Sequence, residues 1–131
     1  MKNENNIKYV LGVFITIISI IVFISMLSFF FSWSSDQSEI KSIFDNSSEI
    51  KNIGKKIGLL ISYYMIYKGF GLGAILIPVL LFLIGISLAF DSGLDKILSR
   101  SIFLLISITW ISLFSSYILN NNIYGGIFGY E

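Results

Sequence analysis

The chain has 131 residues, of which 55% are hydrophobic and 13% charged, and its nine basic and eight acidic side chains leave a formal net charge of +1. This length limits it to one domain, and the near-neutral balance excludes the basic field that a nucleic-acid-binding protein carries. Cysteine and histidine are both absent, which excludes disulfides, thiolate nucleophiles, imidazole bases and ordinary zinc sites.

The first predicted element is a membrane span over about residues 9–33. No charged residue occurs from Tyr9 to Ser35, and the 22 residues Val10–Phe31 are long enough to cross a hydrocarbon core of about 30 Å. A cleaved signal peptide would have a shorter apolar region followed by small residues. Here the run ends in phenylalanines and Trp33, which are typical of the lipid headgroup level. We therefore expect an uncleaved span.

A polar connection, 32–53, precedes a predicted amphipathic helix over about 48–67, for which Ser47 or Ser48 is the candidate N-cap. Its uncharged part, Ile57–Tyr67, has 11 residues, which is short for a span and suits an interfacial or re-entrant helix. A short helix buried against neighbouring spans is an equal alternative, and the chain has four spans if 57–67 enters the bilayer. Its predicted apolar face comprises Ile50, Ile53, Ile57, Leu60, Ile61 and Tyr64.

A glycine elbow at Lys68–Gly73 leads into the second predicted span, about 69–90, inside which Pro78 is expected to produce a kink. Residues 91–100 are predicted to form a polar turn, and the third span covers about 102–119. A glycine-rich tail, 124–131, follows. The Gly-x-Gly spacing at the elbow lacks the preceding strand and third glycine of a dinucleotide fingerprint, and we reject that interpretation.

Charge alone does not fix the orientation. A cytoplasmic amino terminus would place Lys2, Lys8, Lys96 and Arg100 inside, and five lysines of residues 41–68 outside. This distribution is the reverse of the positive-inside rule.

Several motifs resemble the amino-terminal membrane region of the FtsK/SpoIIIE DNA translocases, especially those of Bacteroidetes-type bacteria. The resemblance is carried in residues 52–90 by Gly54-Lys55-Lys56-Ile57-Gly58, Ile66-Tyr67-Lys68-Gly69-Phe70-Gly71 and Pro78-Val79-Leu80-Leu81-Phe82-Leu83-Ile84-Gly85. Weaker support comes from Leu27-Ser28-Phe29, Trp110-Ile111-Ser112-Leu113 and Gly125-Gly126-Ile127-Phe128-Gly129-Tyr130.

The resemblance implies a multi-pass anchor in the bacterial inner membrane at the division septum, with a cytoplasmic amino terminus. In the family, four spans precede a linker, an ATP-driven motor and a DNA-reading domain. The present sequence contains three clear spans and no phosphate loop, so we expect the amino-terminal part of a translocase, a truncated form or a stand-alone relic, without the motor domain. Three spans would leave the carboxyl end outside.

The expected fold is therefore an all-α integral membrane protein with three transmembrane helices and one amphipathic helix. The leading functional hypothesis is a membrane anchor and assembly region of a DNA translocase acting in cell division and chromosome segregation. Its expected partners are the bilayer, further copies of itself and septal membrane proteins, with no direct nucleic-acid binding. Close helix contacts are candidates at small residues, each of which could instead face lipid: Gly12, Ser19, Gly85, Ser87, Ser107 and Ser112.

The alternative is a small membrane protein of channel, holin or transporter-subunit type. Transporters usually carry an ionisable side chain within a span, and none of the three predicted spans has one. An enzyme is disfavoured as well, because clustered carboxylates are missing from the sequence. We predict no catalytic, cofactor-binding or metal-binding residues and no cofactor.

Overall fold

The computed structural model describes residues 2–36, 40, 50–90, 94–119 and 122–130. Nearly all of these are helical, and none of them forms a strand. In chain order, the elements are α1 (Lys2–Asp36), α2 (Lys55–Ser62), a π-helical segment (Tyr63–Phe70), a 3-10 segment (Gly71–Ile75), α3 (Leu76–Phe90), α4 (Leu94–Leu119) and α5 (Asn122–Tyr130).

Three helical stretches are long and apolar enough to cross a membrane: Asn5–Asp36, Lys55–Phe90 and Ser99–Leu119. Of the residues in their most apolar windows, only 22%, 28% and 22% are buried inside the protein. Large apolar side chains point outward along α4, where Phe103 is 71% and Trp110 69% exposed. So much contiguous apolar surface is compatible with lipid and not with water. The protein is an all-α membrane protein, as the sequence predicts.

Helices α1 and α3 run antiparallel and approach closely at two glycines. A Cβ placed on Gly12 would meet the backbone of Ala89, and one placed on Gly85 would lie 2.5 Å from Thr16 Oγ1 and 2.8 Å from the Thr16 backbone nitrogen. Thr16 Oγ1 itself donates to the carbonyl oxygen of Gly12 at 2.8 Å. The missing side chains at Gly12 and Gly85 thus let the backbones touch, as in other membrane helix pairs.

The largest buried cluster surrounds the second half of α1. Met26, Phe29 and Trp33 of α1 pack there against side chains of the returning chain, namely Ile50, Leu59, Ile66 and Ala74. This cluster joins α1 to α2, to the π-helical segment and to the 3-10 segment. The predicted amphipathic helix is therefore packed against a neighbouring span.

The buried side of this segment matches the predicted apolar face only in part: Ile50 is buried and Leu60 packs against the core cluster, but other members of the predicted face point outward. Gly58, Leu59 and Ser62 are buried in α2, whereas Ile57 is 73% and Tyr64 of the following π-helical segment 64% exposed. The prediction assumed that large apolar side chains turn inward, as they do in water. In lipid they face outward, and small residues permit close packing on the inner side.

The predicted start of this helix is also wrong within the described residues. Residues 50–54 are not helical, and α2 begins at Lys55 after Gly54, which provides no side-chain cap. The candidate caps Ser47 and Ser48 lie outside the described residues.

Two further predictions change in the second half of the chain. Pro78 is the third residue of α3, and the first turn of a helix tolerates a residue without a backbone N–H. Pro78 therefore does not interrupt the helix. The interruption lies at Gly69–Gly71. Residues 94–100, predicted as part of a polar turn, already belong to α4.

The Gly85→Ala variant tests the contact between α1 and α3. Helix propensity alone would stabilise α3 by about 1 kcal/mol, but the added Cβ collides with the Thr16 backbone, an overpacking that costs about 1–3 kcal/mol. We expect a net loss of stability in detergent, measured by thermal unfolding followed by circular dichroism. Ile21→Ala, which removes an outward-facing side chain, is the control and should change stability less than Gly85→Ala; a stabilised Gly85→Ala variant would contradict the close contact.

Candidate functional site at the crossing of two interrupted helices

The helix that leads from α2 to α3 is interrupted at two glycines. Gly69 has φ −107° and ψ −121°, and Gly71 has φ 54° and ψ −130°. The latter combination is accessible to glycine and costly for residues with a Cβ. The π-helical turns that precede this interruption are rare and occur mainly at functional sites.

A second interruption lies inside α5. Gly126 has φ 66° and ψ −179°, which again requires glycine. The sequence identifies a glycine-rich tail here but gives no sign that it is helical on both sides of the break.

The two interruptions lie directly against each other. A Cβ on Gly71 would collide with the carbonyl oxygen of Tyr124, and a Cβ on Gly126 would collide with the carbonyl oxygen of Gly69 and lie 2.6 Å from the Gly71 nitrogen. Each glycine therefore makes room for the backbone of the other segment. We call this contact, formed by residues 69–71 and 124–126, the elbow crossing.

Serine hydroxyls of α4 lie within hydrogen-bonding distance of two carbonyl groups beside the break in α5. Ser112 Oγ donates to the Gly125 carbonyl oxygen at 2.7 Å, and Ser115 Oγ lies 2.8 Å from that of Tyr124. The hydroxyl of Ser115 also lies 2.6 Å from the Ile111 carbonyl oxygen. Irregular backbone at membrane depth is tolerated where protein groups replace its missing partners. The buried serines of α4 therefore allow the break to exist.

Stacked aromatic rings connect α1 to both interrupted segments. The ring centroids of Trp33 and Tyr67 are 4.8 Å apart, and those of Tyr63 and Tyr67 are 5.4 Å apart. Phe30 stacks on Tyr124 with centroids 6.2 Å apart and an interplanar angle of 5°. Such ring pairs add about 0.5–1.5 kcal/mol each beyond the burial of their area. The rings thus connect α1 to the π-helical segment and to α5 at one end of the bundle.

A buried carboxylate ties the chain that precedes α2 to the end of α1. Asp36 Oδ1 accepts a hydrogen bond from the backbone N–H of Lys51, and Oδ2 accepts one from the N–H of Asn52, both at 2.9 Å. The Asn52 side chain in turn donates to the Ser25 carbonyl oxygen at 3.0 Å and accepts from the Gly54 N–H at 2.8 Å. Asp36 and Asn52 are both fully buried. We call these hydrogen bonds of Asp36 and Asn52 the Asp36 clamp. Sequence reasoning missed it because its long-range hydrogen bonds join residues that are 15–27 positions apart in the chain.

Most of the small residues predicted to allow close contacts do so. Gly12 and Gly85 lie at the contact between α1 and α3, and Ser19, Ser87 and Ser112 are buried. The exception is Ser107, which is half-buried and donates within its own helix to the Phe103 carbonyl oxygen at 2.8 Å.

The arrangement supports packing rather than chemistry. Within the described parts of the chain, no group of three or more carboxylate side chains is placed to hold a metal ion. What the site provides is a rigid junction between three spans, built from glycine backbone, serine hydroxyls and stacked rings.

Comparison with protein families finds a match over nearly the whole chain. The family model described as the 4TM region of DNA translocase FtsK/SpoIIIE matches residues 4–131. No curated protein and no solved structure matches the chain.

Substituting the glycines of the elbow crossing should destabilise the bundle. We expect Gly71→Ala and Gly126→Ala each to lower the free energy of unfolding by more than about 2 kcal/mol, because a positive φ and a backbone collision act together. Unfolding in denaturing detergent, followed by circular dichroism, measures the loss. Ser107→Ala is the control and should stay within about 0.5 kcal/mol of the wild type. Wild-type stability of both glycine variants would refute the crossing.

The clamp is tested by Asp36→Asn, which leaves the size unchanged but replaces one acceptor oxygen with a donor group. The backbone N–H of Lys51 or Asn52 then faces an N–H₂ group, and leaving such a buried donor unpaired costs about 1–3 kcal/mol. Amide hydrogen exchange of residues 51–54 should accelerate. The matched control is Lys51→Gln, since Lys51 contributes its backbone alone. Equal exchange in Asp36→Asn and wild type would mean that the carboxylate does not hold this segment.

Proposed function

The chain belongs to the family of FtsK/SpoIIIE membrane regions, since the family model covers residues 4–131, and we propose that it is the membrane anchor and assembly region of a bacterial DNA translocase acting in cell division and chromosome segregation. The match covers a membrane region and carries no motor domain. We therefore assign no catalytic step to this region. Under the proposal, the ATP-driven movement of DNA belongs to a motor that this region holds at the membrane.

The single observation that carries the proposal is the family match. The elbow crossing adds a physical argument for the role of an anchor. A motor that pulls on DNA loads its anchor, so the spans must resist being drawn apart. The crossing joins the α2–α3 segment to α4 and α5, and the stack of Phe30 on Tyr124 joins α1 to α5. Force applied to one span is therefore distributed over all three.

The proposed spans are residues 9–33, 69–90 and 102–119, with the segment 57–67 also within the bilayer. A Cβ on Gly58 would lie 2.7 Å from Ser25 Oγ, and Ser25 lies six residues, about 9 Å, before the end of the apolar run at Phe31. The outward-facing Ile57 and Tyr64 then contact lipid. This placement favours a re-entrant helix over one that lies flat at the surface.

We propose that the amino terminus is cytoplasmic and that the membrane is the bacterial inner membrane. The orientation follows from the family resemblance, and the lysine count opposes it. Arg100 and Lys8 would then lie on the cytoplasmic side, and the Asp36 clamp on the outer side. Further copies of the chain and septal membrane proteins are the proposed protein partners.

One fusion tests both location and orientation. A fluorescent protein that matures only in the cytoplasm is attached to the amino terminus, and the fusion is expressed in a dividing Bacteroidetes-type bacterium. We expect the ratio of septal to peripheral fluorescence to be higher for the fusion than for a lipophilic dye imaged in the same cells. The dye is needed because two membranes lie side by side at the septum and raise the signal of any membrane protein there.

An unrelated three-span protein with the same fusion is the first control and should follow the dye. The Gly71→Ala variant is the second, and it should lose the septal excess if the intact junction is needed for assembly. Uniform peripheral fluorescence would contradict septal recruitment, and a dark but membrane-inserted fusion would contradict the orientation. Ion flux through vesicles that contain the purified chain would favour the channel alternative.

A further inference from the structure

An amphipathic cleft separates α3 from α4 at the end of the bundle opposite the Asp36 clamp. Its volume is about 320 Å³, and it is open to the outside. The apolar part of its lining includes Leu80 and Leu83 of α3 and Leu104 of α4; the polar part comprises Ser87, Arg100 and Ser101. The polar groups of α4 lie where its polar end meets the apolar run that begins at Ile102.

Two polar groups of this cleft have no partner among the described residues. Arg100 forms no ion pair with any described side chain and is exposed. Ser87 is only 5% exposed, and its Oγ has no hydrogen-bond partner among the described residues. A cation without a partner among the described residues, placed above an apolar slot, attracts an anion that also carries an apolar part.

The length of the cleft suits the tail of a lipid. Leu80 and Ser87 are seven residues apart on α3, about 10 Å along the helix axis. One leaflet of the hydrocarbon core is about 15 Å thick. The cleft therefore extends over much of one leaflet, with the cation at its headgroup end.

We propose that this cleft binds an anionic phospholipid. Its phosphate pairs with the Arg100 guanidinium and accepts a hydrogen bond from Ser101, and one acyl chain lies along Leu80, Leu83 and Leu104. Charge complementarity assigns the occupant, since a zwitterionic lipid offers the same chain without net negative charge. This inference requires only the membrane fold and holds whether or not the chain acts at a septum.

The headgroup arm of the test uses the full chain purified in a mild detergent. Native mass spectrometry measures binding of phosphatidylglycerol and of phosphatidylethanolamine with identical acyl chains. We expect wild type to prefer phosphatidylglycerol by about fivefold or more, the contribution of one basic side chain near anionic lipid. Arg100→Gln should abolish the preference, whereas Lys51→Gln, which removes an exposed lysine at the other end of the bundle, should retain it.

The acyl-chain arm uses Leu104→Trp, which fills the cleft and should reduce binding of both lipids. Leu113→Trp on the same helix is the matched control; Leu113 is exposed outside the cleft, and its variant should bind as wild type does. Because both arms compare variants at different positions, misfolding of one variant does not decide the result.

Three results would overturn the proposal. The first is an unchanged preference for phosphatidylglycerol in Arg100→Gln, or an equal loss of that preference in Lys51→Gln. The second is complete displacement of the lipid by inorganic phosphate, which would mean that Arg100 binds a free anion. The third is efficient disulfide linkage between copies through Leu104→Cys in this otherwise cysteine-free chain, which would assign the cleft to a protein contact.

Discussion

Every backbone polar group at membrane depth must find its partner within the protein, and the structure depends on how this requirement is met where two helices break. In water, the free carbonyl groups at Gly125 and Tyr124 would be hydrated. Here Ser112 and Ser115 of α4 stand in for water. Glycine at positions 71 and 126 lets the broken segments approach until their backbones touch. The break in α5 therefore depends on both the glycines and the serines.

The same solvent explains which side of each helix is buried. Large apolar side chains gain nothing by leaving lipid for a protein interior, so the inner faces carry residues that permit close approach or form hydrogen bonds. On α2 the inner face includes Gly58 and Ser62, and on α1 it includes Gly12 and Ser19. The exception is the aromatic cluster around Trp33, where stacked rings add specific contacts beyond burial.

The two ends of the bundle have different physical characters. At one end, the Asp36 clamp, the aromatic rings and the elbow crossing join α1, α2 and α5 into a tightly packed junction. At the other end, α3 and α4 separate and leave an open cleft below Arg100. The junction packs the spans against one another, and a polar end that carries a cation fixes their depth against the headgroups.

Residues 9–35 and 69–90 contain no charge, and this alone determined that they are membrane spans, because a charge in lipid is expensive. The motifs from Gly54 to Gly85 likewise indicated the family, and the glycines predicted an elbow at Lys68–Gly73, within which the structure has its break at Gly69–Gly71. The buried face of α2, the helix within the glycine-rich tail and the partners of Asp36 could not be derived in this way. They depend on contacts between residues far apart in the chain, and a pattern of apolar residues does not reveal which face meets protein when lipid satisfies the other equally well. Only the tertiary structure decided which small residues face inward at the contact between α1 and α3 and at the elbow crossing, because close backbone approach, rather than removal from water, stabilises these two contacts.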